Sequence, residues 1–482
     1  MKIITTLFRM MIVSLVCVVS AQAKSKCLSP LDYGLADAKN GIDCYEALLA
    51  CHQQAVKQGV GVCYRGIDSL YLEIPSYAKG IPLTSYTDFA GVVITVRNNM
   101  KDVFLFTMIQ PVEEISLEAS QIDNGDFKNN KILSSGDYIV IIKDKKPWVE
   151  ERIGYGYPHF RRDILFVHNG KSENKVIMPY DNRQSEMECH YRRVNEKQKL
   201  FRNLHFIRSA DSSYKTCLLK VMSEHNFLVK NVSVKTPSDH NLFGDQVFMA
   251  EDCTCFTLED VVVDGTYSRQ DKYGYAFGLN NVWNHKALRV KADGKWGVYG
   301  TNNVNTASID QCNINRFDIH CYGRDVYCVN TRFHSLYNQF CSTYGGVKFK
   351  NCVFDKSIPY LNASSYNAFV PVDVIFEGCK FYLTKDRNSI VRFSGLTEQI
   401  NSRKELSLKS LPNVTLKNCK VVTDSDVDIW YVIHPGGVRY KDGLNYISHV
   451  KVSIKCDNRT RRKMVVIPSY VRTKSKLKLS VE

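Results

Sequence analysis

A short pattern recurs down the chain: DQCNI at 310–314, KNCVF at 350–354, EGCKF at 377–381 and KNCKV at 417–421. Versions without cysteine read KNVSV at 230–234, EDVVV at 259–263 and VNTRF at 329–333. Each is a polar turn running into alternating apolar and polar residues, which is how a strand reads. Most successive units start about 19 to 40 residues apart, with no helical segments between them. Self-similarity of this kind predicts a solenoid, in which a unit buries its apolar face only by stacking on its neighbours.

In such a coil, strands of successive rungs lie about 4.8 Å apart and like side chains stack. Cys312, Cys352, Cys379 and Cys419 share one place in the pattern, so they are expected inside the coil as small hydrophobes. Asn231, Asn351 and Asn418 occupy the turn, where an Asn side chain satisfies local backbone groups and tolerates left-handed geometry. Seventeen cysteines would suit an oxidising compartment, but there is no pair of CxxC motifs, and Cys253 with Cys255 does not make a metal site.

The N-terminus carries Lys2 and Arg9, an apolar stretch from Met10 to Val19 and the small-residue triplet Ala21, Gln22, Ala23. This predicts a secretory leader cleaved near Ala23 and a secreted or periplasmic location. No other stretch approaches about 18 apolar residues, so no membrane span is expected. The net charge is +15, from 64 basic and 49 acidic residues. With no nucleic-acid motif, an exported basic protein points to an acidic polysaccharide as partner rather than DNA or RNA. Monomer and homotrimer are equally compatible with the sequence.

The residues ahead of the repeats read DYG at Asp32 to Gly34, a turn at Asn40 and Gly41 followed by Asp43, then a segment ending at Gln58. In that segment Tyr45, Leu48, Leu49, Ala55 and Val56 fall on one helical face after an Asp43 cap. A strand-like GVCYRG follows at Gly61 to Gly66, then Thr87, Phe89 and Gly91 in a TxFxG element. These features resemble the N-terminal cap of the pectate-lyase-like superfamily, which includes polysaccharide lyases, polygalacturonase-type hydrolases and tailspike enzymes; its doubled acidic residue after the glycine turn is not kept. The resemblance implies an all-β, right-handed parallel β-helix whose open end is covered by a short helix, protecting an edge that would otherwise pair with other chains. The expected organisation is a leader over 1–23, cap and first rungs over 24–105, coil over 106–425 with a basic aromatic loop at 144–171, and a C-terminal cap with a basic tail over 426–482.

The densest polar constellation is FDIHCYGRD at 317–325. On a strand, Asp318, His320, Tyr322 and Arg324 share the outer face. Aligning Ala307, Val326 and Val347 places Thr301, Asn303 and Asn305 beside them, and the preceding rung adds Tyr275, Asn281 and His285. The far side would carry Cys341 and Thr343. The set suits β-elimination of a uronic acid, with His320 as base, Tyr322 as acid, and Arg324 with Asn303 or Asn305 neutralising the sugar carboxylate. Tyr275, Asn281, Trp148, Arg161 and Arg162 are the expected substrate contacts, the last three from the basic aromatic loop; a surface hairpin packed on the coil is the alternative for that loop. A glycoside hydrolase would need converging carboxylates drawn from Asp239, Asp245, Asp264, Asp310 and Asp318. A C5 epimerase would use nearly the same groups as a lyase. A carbohydrate-binding or adhesive β-helix would need the aromatics and bases alone. No metal site is assigned, although a Ca²⁺-assisted lyase would draw on Asp239, Asp245 and Glu251.

Overall fold

A left-handed corner in each coil accounts for the recurring pattern. Asn203, Asn231, Asp260, Arg289, Gln311, Asn330, Asn351, Gly378 and Asn418 all have φ between 50° and 64°. Asn predominates because, among residues with a side chain, it enters this region at low cost. Its amide also links rungs: Asn231 Nδ2 donates to Asn203 Oδ1 at 2.9 Å and Asn351 Nδ2 to Asn330 Oδ1 at 3.5 Å. The residue after each corner turns inward, giving a buried column of Leu204, Val232, Val261, Val290, Cys312, Thr331, Cys352, Cys379 and Cys419. The cysteines are therefore interior, as the sequence predicts, and Thr331 fills the same place by donating its hydroxyl to Val329 O at 2.9 Å.

The computed structural model describes residues 27–35, 43–100, 103–149, 158–180, 187–214, 216–236, 246–264, 275–292, 297–320, 323–334, 337–340, 343–362, 373–394, 413–436, 450–456 and 463–465. Among them, 28 strands join through parallel pairings into one coil, a right-handed parallel β-helix. Stacked rings run up its inside: Phe248, Phe277, Tyr299 and Phe317 follow one another at centroid distances of 5.5, 4.8 and 5.0 Å. Strand alternation then turns Gly278, Gly300 and Asp318 outward. The coil continues past Ser425, where the sequence pattern fades: Ile429–Gly436, Val450–Cys456 and Lys463–Val465 pair in parallel with the rungs before them.

The helix Tyr45–Gln58 covers the N-terminal end, burying Tyr45, Leu48, Cys51, His52 and Ala55. Asp43 Oδ1 accepts from Tyr45 N at 3.0 Å and from Glu73 N at 2.9 Å, tying the start of the helix to the strand Ser69–Glu73. Val56, expected on the inner face, is 47% exposed. Cys51 and His52 turn inward instead, and His52 is held by Pro82 O and the Tyr64 hydroxyl. No helix among the described residues is long and apolar enough to cross a membrane.

Between the strands Phe104–Ile109 and Lys199–Arg208 the chain leaves the coil and builds a five-stranded antiparallel sheet. Of the region 144–171, residues 150–157 lie outside the described ones, and the rest belongs to this sheet, in which Asp137–Val149 pairs antiparallel with His159–His168. The run Tyr138 to Ile142 is apolar throughout because this strand is covered on both faces. Val140 and Ile142 pack with Phe127 and Leu165 in the sheet's own core. Ile139, Ile141, Ile164 and Phe166 face the coil. Phe166 stacks on His225 at 4.4 Å and on Trp283 at 6.1 Å, keying the sheet to the coil wall.

His285 replaces an aromatic ring in another interior column, stacked 6.0 Å from Phe256. Burial favours its neutral form and brings its pKa down to about 4. A group lowered in this way contributes stability above its unfolded value near 6.5, lost as pH falls through about 4. His52 and His225 are lowered to about 4 by the same cause. Thermal unfolding is expected to occur at progressively lower temperature as pH is taken down across that window. His285→Phe should flatten the dependence by up to about 3 kcal/mol, as measured by calorimetry across the pH range.

Candidate functional site

The outward glycines shape the floor of a lateral site. A Cβ at Gly300 would lie 2.6 Å from the Tyr275 ring, and one at Gly278 would lie 2.4 Å from the Gln246 side chain. Glycine at Gly300 therefore lets Tyr275 lie flat on the strand, and its hydroxyl meets His320 Nε2 at 2.8 Å. The two rings stand edge to face, with centroids 5.3 Å apart. Beneath them is Asp318, fully buried. Its Oδ2 lies 3.5 Å from His320 Nε2, while Oδ1 accepts from Arg316 Nε at 2.5 Å and from Gln339 N at 3.1 Å. The arrangement joins a phenol, an imidazole and a carboxylate on the coil's outer wall, and such a chain can pass a proton and stabilise the resulting imidazolium.

The register differs from the sequence alignment by one residue on part of the strand. Ala307 pairs with Val326, Val326 with Val347, and Asn305 with Arg324, as expected. Upstream, however, Thr301 pairs with Ile319, a register one residue off that of Val304 with Gly323. Thr301 consequently points inward and donates to Asp318 O at 2.6 Å instead of flanking His320. Asn303 is a buried corner residue with φ of 53°. His285 is also interior, with Nδ1 2.9 Å from Phe256 O. Tyr322 and Cys341 lie outside the described residues, as do the side chains of Trp148 and Thr343.

Several residues expected to bind substrate are engaged where the inserted sheet meets the coil or within the sheet itself. Asn305 Nδ2 donates to Lys175 O at 2.6 Å, and Arg324 Nη1 to Val176 O at 2.9 Å. Asn281 Nδ2 donates to Asp163 O at 3.2 Å and to Asp252 Oδ1 at 2.7 Å. Arg162 bridges Glu251 and Asp252 at 3.1 and 3.0 Å. Arg161 is buried with its guanidinium 3.6 Å from the Tyr180 ring centroid. For Asn305 and Arg324 the reason is that the segment Lys175 to Tyr180 presents carbonyls that must find donors, which the coil wall supplies; at Arg162 the sheet supplies the donors and the coil the acids. Asp163 completes the seam, accepting from Ile177 N at 2.7 Å and the Tyr180 hydroxyl at 3.0 Å. Burial pushes its carboxyl pKa up to about 6.

Sequence reasoning overlooked Arg316 and Gln339, which brace Asp318, and Asp252, next to the Glu251 that it named only for a Ca²⁺-assisted lyase. Arg316 could have been noticed as a base just ahead of the strand Phe317–Ile319, two residues before its outward acid. Gln339 is brought in by the next rung and leaves no local signal. Of the proposed carboxylates, Asp239 and Asp245 lie outside the described residues, and Asp310 is bonded by Asn330 Nδ2 at 3.3 Å. Among the described residues Asp137, His168 and Glu196 bring possible metal-ligand atoms within 4.8 Å of one another. They stand at the end of the inserted sheet, and His168 is already paired with Asp137 at 2.6 Å.

No protein-family model and no curated protein sequence matches the chain. Solved structures do resemble it. The tailspike protein gp49 from Pseudomonas phage LKA1 superposes with a TM-score of 0.55 at 11% identity, over 94% of this chain and 79% of that one. The gp54 tailspike of Acinetobacter baumannii bacteriophage AP22, solved with A. baumannii capsular saccharide, gives 0.55 at 12% identity over 94% and 79%. The tailspike gp61 of Pseudomonas phage phi297 gives 0.51 at 13% identity over 89% and 80%. At these identities the likeness is one of fold, and that fold is the right-handed parallel β-helix.

Two variants test this geometry. Gly300→Ala should displace the Tyr275 ring and break its bond to His320 while leaving the coil folded, as seen in a crystal structure of the variant. Arg324→Ala should cost about 1 kcal/mol by removing a donor from the Val176 carbonyl. Amide hydrogen exchange should then accelerate over residues 175–180 and remain unchanged in the strand Tyr275–Leu288.

Proposed function

We propose that this protein is an exported enzyme that binds an acidic polysaccharide along the side of its coil and cleaves it by β-elimination. The observation that carries the reading is the Tyr275 hydroxyl 2.8 Å from His320 Nε2, directly above buried Asp318. An eliminating enzyme must take the proton next to the sugar carboxylate, offset the charge that develops there and protonate the departing oxygen. The Tyr275 oxygen accepts the C5 proton as its own proton moves to His320. It then gives the sugar's proton to the departing oxygen and recovers its own. Asp318 stabilises the imidazolium in the interval. Arg324, with about a third of its side chain exposed, is assigned to the sugar carboxylate as charge accumulates.

The basic balance of the chain supports an anionic polymer, and the leader expected over 1–23 supports a secreted or periplasmic location. The AP22 tailspike, solved with a capsular saccharide, offers a precedent for this fold holding a glycan. Hydrolysis is less well served. The carboxylate of the cluster, Asp318, lies on a strand three spacings from that of Glu251, roughly 14 Å or more, beyond the reach of a carboxylate pair acting on one glycosidic bond.

The test is incubation with a panel of uronic-acid polymers while following the ultraviolet absorbance of the unsaturated product. His320→Ala and Tyr275→Phe should each lower kcat by about 10²-fold or more and leave polymer binding within a few-fold of wild type. New reducing ends without the unsaturated product would replace elimination by hydrolysis. Binding without either product, unaffected by His320→Ala, would make the protein an adhesin.

A further inference from the structure

A buried carboxylate needs donors to offset its desolvation, and at Asp318 the described donors converge on one oxygen. Arg316 Nε and Gln339 N both reach Oδ1. Arg316 Nη2 also donates to Gln339 Oε1 at 3.1 Å, closing a ring of contacts around that atom. Arg316 is itself only 6% exposed. The second oxygen, Oδ2, has no hydrogen-bond partner among the described residues. It lies 3.5 Å from His320 Nε2, slightly beyond hydrogen-bonding range, while that nitrogen is engaged with Tyr275.

We infer that Arg316 is a positioning residue: by occupying Oδ1 it keeps Oδ2 aimed at His320, ready to receive the Nε2 hydrogen once the imidazole has taken the proton of Tyr275. The inference rests on the proposed proton transfer from Tyr275 to His320. The geometry favours it because a small rotation of the imidazole exchanges one partner for the other. In the resting state Nε2 accepts from the phenol, and after transfer it donates to the carboxylate. A protonated His320 would then satisfy an oxygen that is left unpaired at rest. Arginine suits the position because its planar fork serves Asp318 and Gln339 together, which a lysine ammonium on a flexible stem does less well.

The experiment compares wild type, Arg316→Lys and Arg316→Met as full-length protein, each with a crystal structure, polymer binding and steady-state kinetics. Arg316→Met is expected to lower kcat about 100-fold with KM changed less than about three-fold. Its Asp318 carboxylate should be rotated so that Oδ2 no longer faces His320. Arg316→Lys should recover at least a tenth of the wild-type kcat, and added methylguanidinium should partly restore Arg316→Met. A methionine variant that keeps the Asp318 orientation overturns the inference whether or not any polymer is turned over. A loss confined to KM, or one that lysine does not relieve, overturns it as well. Wild-type protein inactive on every polymer would instead count against elimination, with the Asp318 orientation still deciding the role of Arg316.

Discussion

Parallel pairing in register between successive rungs is the constraint on which the rest of the structure depends. Each strand has to satisfy its backbone groups against the rung on either side, so corners must fall at matching places and interior side chains must stack on others of compatible shape. The positive-φ corners from Asn203 to Asn418 meet the first requirement. The Leu, Val, Thr and Cys residues that follow them meet the second. Once this stack is fixed, outward side chains are displayed at a regular spacing, and Tyr275, Asp318 and His320 come together from two rungs although 43 residues separate Tyr275 from Asp318.

The inserted sheet alters the meaning of much of that display. On a bare coil Asn305, Arg324 and Asn281 would line an open wall. Here their donors go to the carbonyls of Lys175, Val176 and Asp163. Tyr275, His320 and Asp318 cluster where Gly300 leaves room for an aromatic ring. Rigidity at the seam and access at the site are thus set by neighbouring positions on the same strands.

The sequence revealed the coil because its signals are local and repeated. One Asn corner and one small interior residue recur with each rung, and the alignment of Ala307, Val326 and Val347 proved correct. What it could not show depends on a change in count or on distant segments. The Thr301 register slipped because an irregularity between rungs has no sequence marker. Arg324 was legible as an outward residue of its strand, but nothing near it announces the segment 175–180, to whose Val176 carbonyl it also donates. The apolar run Tyr138 to Ile142 was a clue to a two-faced buried sheet, but the tyrosines and arginines after it suggested a loop. Asp318 and His320 were legible as outward residues of one strand, whereas their braces Arg316 and Gln339 became visible only once the neighbouring rung was in place.

The sheet departs after Phe104–Ile109 and the chain returns at Lys199–Arg208, which pairs in parallel with Tyr86–Arg97 on both sides of a register shift between Arg202 and Leu204. Likewise Phe104–Ile109 carries Cys217–Met222 as its next rung. The departure and return points are therefore those of a normal corner, and the excursion is in effect a module plugged into a standard socket. Exchange of that module for another, through recombination or design, could reshape what approaches the wall while leaving the stack undisturbed. The donors at Asn281, Asn305 and Arg324 form the docking code that a replacement would have to read.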